Sequence, residues 1–239
     1  MAKLVWDQTG ERYYETGVSR GVLYLQNSDG TYGAGVAWNG LTSVNESPDG
    51  ADPNDLWADN IKYASLYSNE TFGFTIEAYT YPDEWTQCDG QFLLGAQGAA
   101  LSDCGIRIGQ QKRTGFGFCY RTEKGNDTVS DSDDGYLLHI IYNAMAQPSD
   151  RDYETVNDSP DAIQFSWECT TTPVNVTPPT GYTSMVLKPT AVLTIDSTKV
   201  NGIYLGTLEE YLYGGGDVDA PTLPTPTQVL NILATGEID

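Results

Sequence analysis

The sequence predicts a mainly β protein: an antiparallel β-sandwich or open barrel with one or two short helices. Three observations lead there. Several segments alternate apolar and polar residues with period two, the spacing of a strand with one buried face. Tyr, Thr, Val and Gly are abundant while Lys, Glu and Leu are modest, a mix suited to strands. Helical periodicity is scarce. The 239 residues are enough for one large β domain or two small ones, with a core that needs no disulfide or metal staple.

Val36–Val44 and Ile61–Tyr67 read as strands. The linker between them, Asn45–Asn60, holds two Pro, one Gly and five acidic residues, Glu46, Asp49, Asp52, Asp55 and Asp59. Hairpins usually close with about 2–5 residues, so this connection is long enough to suggest function. Next, Phe72, Phe74, Ile76 and Ala78 share one face, and Gly73, Thr75, Glu77 and Tyr79 the other. Pro82, the acids Asp83 and Glu84, and Gly90 bracket a short helix. Phe116, Phe118 and Tyr120 alternate as a strand. Tyr136–Met145 is apolar on both faces, which predicts a strand covered on both sides. In Ile163–Thr170, Ile163, Phe165, Trp167 and Cys169 face inward while Gln164, Ser166, Glu168 and Thr170 face outward. Met185–Asp196 and Ile203–Leu208 read as later strands, and Thr207–Tyr213 as a second short helix stopped by Gly214, Gly215 and Gly216.

This divides the chain into a β domain, residues 1–213, and a Gly/Pro-rich C-terminal arm, 214–239. Asp217–Thr227 is Pro/Thr-rich and extended, and Val229, Leu230, Ile232 and Leu233 form an apolar knob. The arm is either a disordered tail or a tether whose knob docks on a neighbour.

Signals for chemistry are weak. The single histidine, His139, lies between Leu138 and Ile140 in a strand, and no GxSxG elbow presents a serine to it. Gly33-Ala34-Gly35 lacks the third glycine and the helix of a dinucleotide site, and no phosphate-binding P-loop is present. Carboxylates are so abundant that a glycosidase pair could be drawn almost anywhere. Asp127, Asp131, Asp133 and Asp134 invite a calcium reading, but an EF-hand beginning at Asp131 needs Glu where Tyr142 stands. A solvated hairpin tip or a looser calcium site remains. Cys88, Cys104, Cys119 and Cys169 lack zinc spacing and are expected to stay reduced. Asn-x-Ser/Thr sequons such as Asn69-Glu70-Thr71 carry no meaning without secretion. No enzymatic role and no cofactor are expected.

Charge says more. Twelve Lys and Arg stand against 33 Asp and Glu, a net charge of −21. Such a surface repels nucleic-acid phosphates rather than gripping them. Sixteen Tyr and five Trp argue for a packed core rather than a solvated chain. Arg107, Lys112, Arg113, Arg121 and Lys124 concentrate positive charge in one strip. That strip either is neutralised by its own acidic loops or meets the acidic loop of another copy, a heterologous contact that closes rings or grows filaments. The opening stretch MAKLVWDQTGERYY has no apolar segment of signal-peptide length, and no run reaches the roughly 18 apolar residues of a membrane helix. Cytoplasmic synthesis without membrane association is the expectation.

The stretches AWNGLTSVNESPDGAD, IKYASL and FTIEAYTYPDEW resemble the major tail (tail tube) proteins of long, non-contractile-tailed bacteriophages. The resemblance is densest over residues 10–90 and continues more weakly to about residue 210. It implies a β-sandwich subunit without enzymatic activity, assembled into stacked hexameric rings in the virion tail. Double-stranded DNA would pass through the bore without specific binding. Partners would be other copies and the tape-measure and tail-terminator proteins. On this resemblance Asn45, Glu46, Asp49, Asp52, Asp55, Trp57 and Asp59 belong to a ring-stacking loop. Asn39, Ser43, Gln164, Ser166, Glu168 and Thr170 are candidates to line the bore. The basic strip and the apolar knob are candidate subunit contacts. The alternative is a carbohydrate-binding, lectin-like β-sandwich, in which exposed Tyr and Trp stack on sugars.

Overall fold

The computed structural model describes residues 4–50, 52–128, 135–153, 155, 162–179, 181–182, 184–216 and 218–238. The protein is mainly β, built on one eight-stranded antiparallel sheet. Its strands are β1 (Tyr13–Gln26), β2 (Tyr32–Trp38), β3 (Leu41–Asp49), β6 (Thr71–Ala78), β9 (Phe116–Asn126), β10 (Tyr136–Ala146), β11 (Phe165–Thr171) and β12 (Val192–Asp196). The order is β2-β1-β9-β10-β11-β6-β3, with β12 beside β10. Two further ribbons, β4–β5 (Pro53–Ala58, Ile61–Tyr67) and β7–β8 (Phe92–Leu94, Ile106–Ile108), stand apart from it.

The order dictates the shape. β2 and β3 lie at opposite ends of the sheet, yet only Asn39 and Gly40 separate them in the chain. Three residue steps span at most about 11 Å. The sheet must therefore curl until its edges meet, and Gly40 turns the corner at φ 79°. Across the seam Trp38 Nε1 donates to the Thr80 carbonyl at 2.9 Å. The expected strand Val36–Val44 is thus two strands broken at this corner.

The curled sheet encloses an aromatic core. Phe74, Ile76, Phe116, Phe118, Trp167 and Cys169 point inward, as the period-two reading expected, and Leu23 and Ile141 join them. The short helix α1 (Trp85–Cys88), where Pro82 to Gly90 predicted one, delivers fully buried Trp85 to the core. There its ring lies 4.6 Å from Trp38 and 5.3 Å from Trp167.

The strands β1, β9 and β10 carry a second apolar face: Val22 and Tyr24, Cys119, and Leu138, Ile140 and Tyr142. Two helices cover it, α2 (Gly202–Tyr213) and α3 (Pro226–Thr235), through Leu205, Leu208, Leu212, Val229 and Ile232. This cover explains why Tyr136–Met145 reads apolar throughout.

Several expectations are corrected here. Ile203–Leu208 is not a strand but the first half of α2, started by Asn201, whose side chain accepts from the Ile203 N–H. Met185–Asp196 shrinks to β12: Val192–Asp196 pairs with residues 137–141 of β10, and Thr190 makes only an isolated bridge to Val174. Ile163 lies outside β11 and is exposed. Asn45–Asn60 is not an irregular linker. Leu41–Asp49 pairs with β6, Pro53–Ala58 pairs with β5, and Asp59 and Asn60 make a two-residue turn with φ 50° and 65°.

The C-terminal arm is also corrected. Residues 214–239 do not form a separate unit. Thr225 caps α3 in a reciprocal box with Gln228, Pro226 opens the first turn, and Gly236 ends the helix at φ 84°. Val229 and Ile232 are fully buried in this chain's own core, with Leu233 packed beside them and Leu230 half-buried. Tyr142 donates to the Pro224 carbonyl at 3.0 Å, and the Gly35 N–H donates to the Pro221 carbonyl at 2.8 Å. The second face of β1, β9 and β10 needs apolar cover, and this segment supplies it without a neighbour.

Candidate assembly interface

Three surfaces stand out once the core is accounted for. The first is the β4–β5 ribbon, which runs out from the end of the β3–β6 pair. It buries almost nothing: Leu56, Trp57, Ile61, Tyr63, Leu66 and Tyr67 are all exposed, Trp57 by 68 % and Tyr63 by 72 %. Isolated two-stranded ribbons are marginal in water, so this one depends on its stem and on local contacts. Lys62 pairs with Asp55 at 2.8 Å and Ser65 donates to the same carboxylate at 2.6 Å; together they hold the Asp55 carboxyl below its ordinary range. Asp52 and Asp59 are exposed without an ion pair among the described residues.

The predicted stacking residues therefore divide. Asp52, Asp55, Trp57 and Asp59 belong to the ribbon. Asn45 and Asp49 lie on the stem, exposed, in β3. Glu46 is opposite Phe74 and turns inward, where it accepts from Tyr120 Oη at 2.6 Å and lies 3.4 Å from His139 Nδ1. The adjacent His139 ring and then the hydrogen bond from Tyr120 keep the Glu46 carboxyl below its ordinary value against the opposing effect of burial. His139 itself stacks on Tyr120 and meets Thr122 Oγ1 at 3.1 Å within the barrel wall. Glu46 is thus bound to the barrel wall rather than carried on the ribbon.

The second surface is polar. Outward-facing side chains line up in three rows across β3, β6 and β11: Ser43, Glu77 and Ser166; Asn45, Thr75 and Glu168; Ser47, Gly73 and Thr170. Ser43 Oγ donates to Glu77 at 2.6 Å, and Gln164 donates to Thr42 and Glu77 at 2.9 and 3.2 Å. Five of the six bore-lining candidates, Ser43, Gln164, Ser166, Glu168 and Thr170, therefore share one continuous face. Asn39 sits instead in the exposed β2–β3 corner. Sequence reasoning missed Thr75 and Glu77 as members, although it had placed them on the outward side of their strand.

The third surface, β7–β8, escaped sequence reasoning. Its strands are three residues each, too short for a periodic signal. Phe92 opposes Ile108 and Leu94 opposes Ile106, so four large apolar side chains share one face, and all four are exposed. On the other face Leu93 is buried and Arg107 donates to Tyr81 Oη at 2.6 Å.

The basic strip does not act as one surface. Arg121 is bound to Glu123 at 2.9 Å and lies 3.9 Å over the Tyr136 ring. Lys124 pairs with Asp196 at 2.9 Å. Arg113 lies 3.9 Å from Asp89 and donates to the Ala146 carbonyl. These cations are partly buried, where an unpaired charge is costly, and carboxylates of this same chain pair with them. That corrects the expectation for Arg113, Arg121 and Lys124. Arg107 and Lys112 remain exposed beside β7–β8, Arg107 with Asp83 at 3.3 Å.

Among the described residues no three His, Cys, Asp or Glu side chains gather as a metal site, and no helix is long and apolar enough to cross a membrane. Asp131, Asp133 and Asp134 lie outside the described residues; Asp127 accepts from the Gly10 N–H at 2.8 Å and pairs with Arg12 at 3.5 Å. No protein-family model matches the chain, and no curated protein matches it in sequence.

Proposed function

We propose that this chain is a self-assembling structural protein, the subunit of a phage tail tube whose stacked hexameric rings conduct double-stranded DNA. The observation that carries the reading is the β4–β5 ribbon. Six large apolar residues projected into water on a two-stranded extension are a liability for a protein that stays monomeric. They are an asset for one that buries them against copies of itself. The barrel core is complete without the ribbon, so the ribbon serves something outside the monomer's own stability. The wording of residues 37–85 that resembles tail tube proteins includes this ribbon.

The charge fits the same reading. A ring multiplies the subunit's −21, and a wall of that sign keeps phosphates from binding. At physiological salt the repulsion reaches only about 8 Å, so the bore stays passable. In this reading the polar face of β3, β6 and β11 lines the bore, no chemistry is catalysed, no cofactor is needed, and the protein acts in the virion with the tape-measure and terminator proteins.

Negative-stain electron microscopy of the purified chain at rising concentration tests this. Rings or tubes are expected. A particle that stays monomeric, and that a sugar matrix retards, would replace the tube reading with the carbohydrate-binding one.

A further inference from the structure

Asn-Gly occurs twice in the chain, at Asn39-Gly40 and Asn201-Gly202. An asparagine before glycine is open to attack by its own backbone, because no side chain shields the following nitrogen and glycine bends freely. The fold treats the two pairs differently. Asn201 caps α2: its Oδ1 accepts from the Ile203 N–H at 2.9 Å, and its carbonyl accepts from the Leu205 N–H at 2.9 Å. Its side chain can reach the Gly202 nitrogen only by giving up the cap. Asn39 stands in the exposed β2–β3 corner. Among the described residues its side chain makes no hydrogen bond, and the Gly40 N–H has no acceptor.

We propose that Asn39 is a site of spontaneous covalent modification: it deamidates in the folded protein, and the product loosens the seam that closes the barrel. The Gly40 nitrogen attacks Asn39 Cγ. The new N–Cγ bond replaces the Cγ–Nδ2 bond, and Nδ2 leaves as ammonia with the proton released by the Gly40 nitrogen. Water then opens the cyclic imide. Cleavage at Cγ gives aspartate; cleavage at the α-carbonyl gives isoaspartate, whose backbone runs through Cβ and Cγ and so gains a methylene. Nothing is oxidised or reduced, and water is the only co-reactant.

The corner has little room for that methylene. On one side Trp38 pairs with Gly21 and its Nε1–H donates to the Thr80 carbonyl at 2.9 Å. On the other the Gly40 carbonyl accepts from the Tyr79 N–H at 2.9 Å, and even a Cβ on Gly40 would come within 2.7 Å of Thr80 Cγ2. The added length falls between these two anchors, so they cannot both keep their present geometry. Each conversion also adds a carboxylate to a molecule already at −21. Neither the chemistry nor its effect depends on assembly.

The test holds the purified chain in mildly alkaline buffer at physiological temperature, folded in one sample and unfolded by guanidinium in another. Peptide mass spectrometry with electron-transfer fragmentation follows both asparagines. Folding should slow conversion of Asn201 at least about fivefold more than that of Asn39, the factor a helix cap withholds. The aged folded protein should show a second melting transition below the first. Asn39→Gln, whose longer side chain closes its ring far more slowly, should age without that transition. Equal slowing of both sites, or greater slowing of Asn39, overturns the site. Conversion of Asn39 to isoaspartate with an unchanged melting curve overturns the loosened seam.

Discussion

Tyr120 and His139 stack face to face across β9 and β10, with ring centroids 4.5 Å apart and planes 2° from parallel. Glu46, reaching in from β3, accepts from Tyr120 Oη and approaches His139. A strand early in the chain is thereby tied to residues of two consecutive strands that lie 74 or more positions further on. Burial, with the hydrogen bond to Glu46, pushes the Tyr120 hydroxyl far above its ordinary value, so it donates at every ordinary pH.

The Glu46 carboxyl sits below its ordinary pKa in the native state. The sign follows: its stabilising contribution is complete above the ordinary glutamate range. It is lost as pH falls through that range to the lower native value. Urea melts between pH 7 and pH 3 should show this loss. Glu46→Gln should flatten that part of the profile and lower stability at pH 7 by roughly 1–2 kcal/mol, the scale of a partly exposed charged hydrogen bond. An unchanged acid limb would rule the linkage out.

Trp85 fills the barrel from a four-residue helix, and its Nε1–H has no acceptor among the described residues. Trp85→Ala should cost about 3–5 kcal/mol through the cavity it leaves. Trp85→Phe should cost less than half of that, because it also removes a buried unsatisfied donor. Thermal denaturation of the two variants checks the ranking.

Ile232 and Val229 close the second core. Ile232→Ala should therefore lower monomer stability by about 2–5 kcal/mol. Removing residues 223–239 should leave an aggregating, partly unfolded chain. A truncated monomer that melts like the full chain would restore the picture of a dispensable arm.

Joining Asp49 to Thr71 through an Asn-Gly turn removes the β4–β5 ribbon while keeping the full β3–β6 pairing. The shortened chain should fold with an unchanged circular dichroism spectrum and fail to form tubes at concentrations where the full chain forms them.

Ser166→Lys with Glu168→Lys places cations on the polar face of β11. Tubes should still assemble, and DNA ejection through them should slow and become salt-dependent, because lysines in the bore would pair with phosphates. Cross-links from these positions to an external label, rather than to DNA, would put the face on the outside.

The fold was legible to the extent that strands announce themselves by alternation. Phe72–Ala78 and Phe165–Cys169 read correctly because each buries one face and keeps the period of two. Phe116–Tyr120 is buried on both faces and still alternates, because small Gly117 and Cys119 stand between its aromatic rings. Tyr136–Met145 was legible for the opposite reason, since covered strands lose alternation. Ile203–Leu208 misread because six apolar-rich residues fit either element. Thr225, Pro226, Gln228 and Gly236 spell a capped helix, but Pro221, Pro224 and Pro226 also fit an extended segment, so the local signal is ambiguous. The β7–β8 ribbon offered too few residues to read, and its importance lies in an apolar face formed only when Phe92 meets Ile108.

The sequence by itself determined the mainly β class of the protein, its acidic character and the inward side of β6 and β11. Those depend on local composition and spacing, which no partner can alter. Tertiary structure decided the closure of the sheet through Asn39-Gly40, the inward turn of Glu46, and the neutralisation of Arg121 and Lys124. It also decided the burial of the C-terminal helix. All but the Arg121–Glu123 pair join segments tens of residues or more apart. Loop closure and desolvation, not local preference, select such pairings.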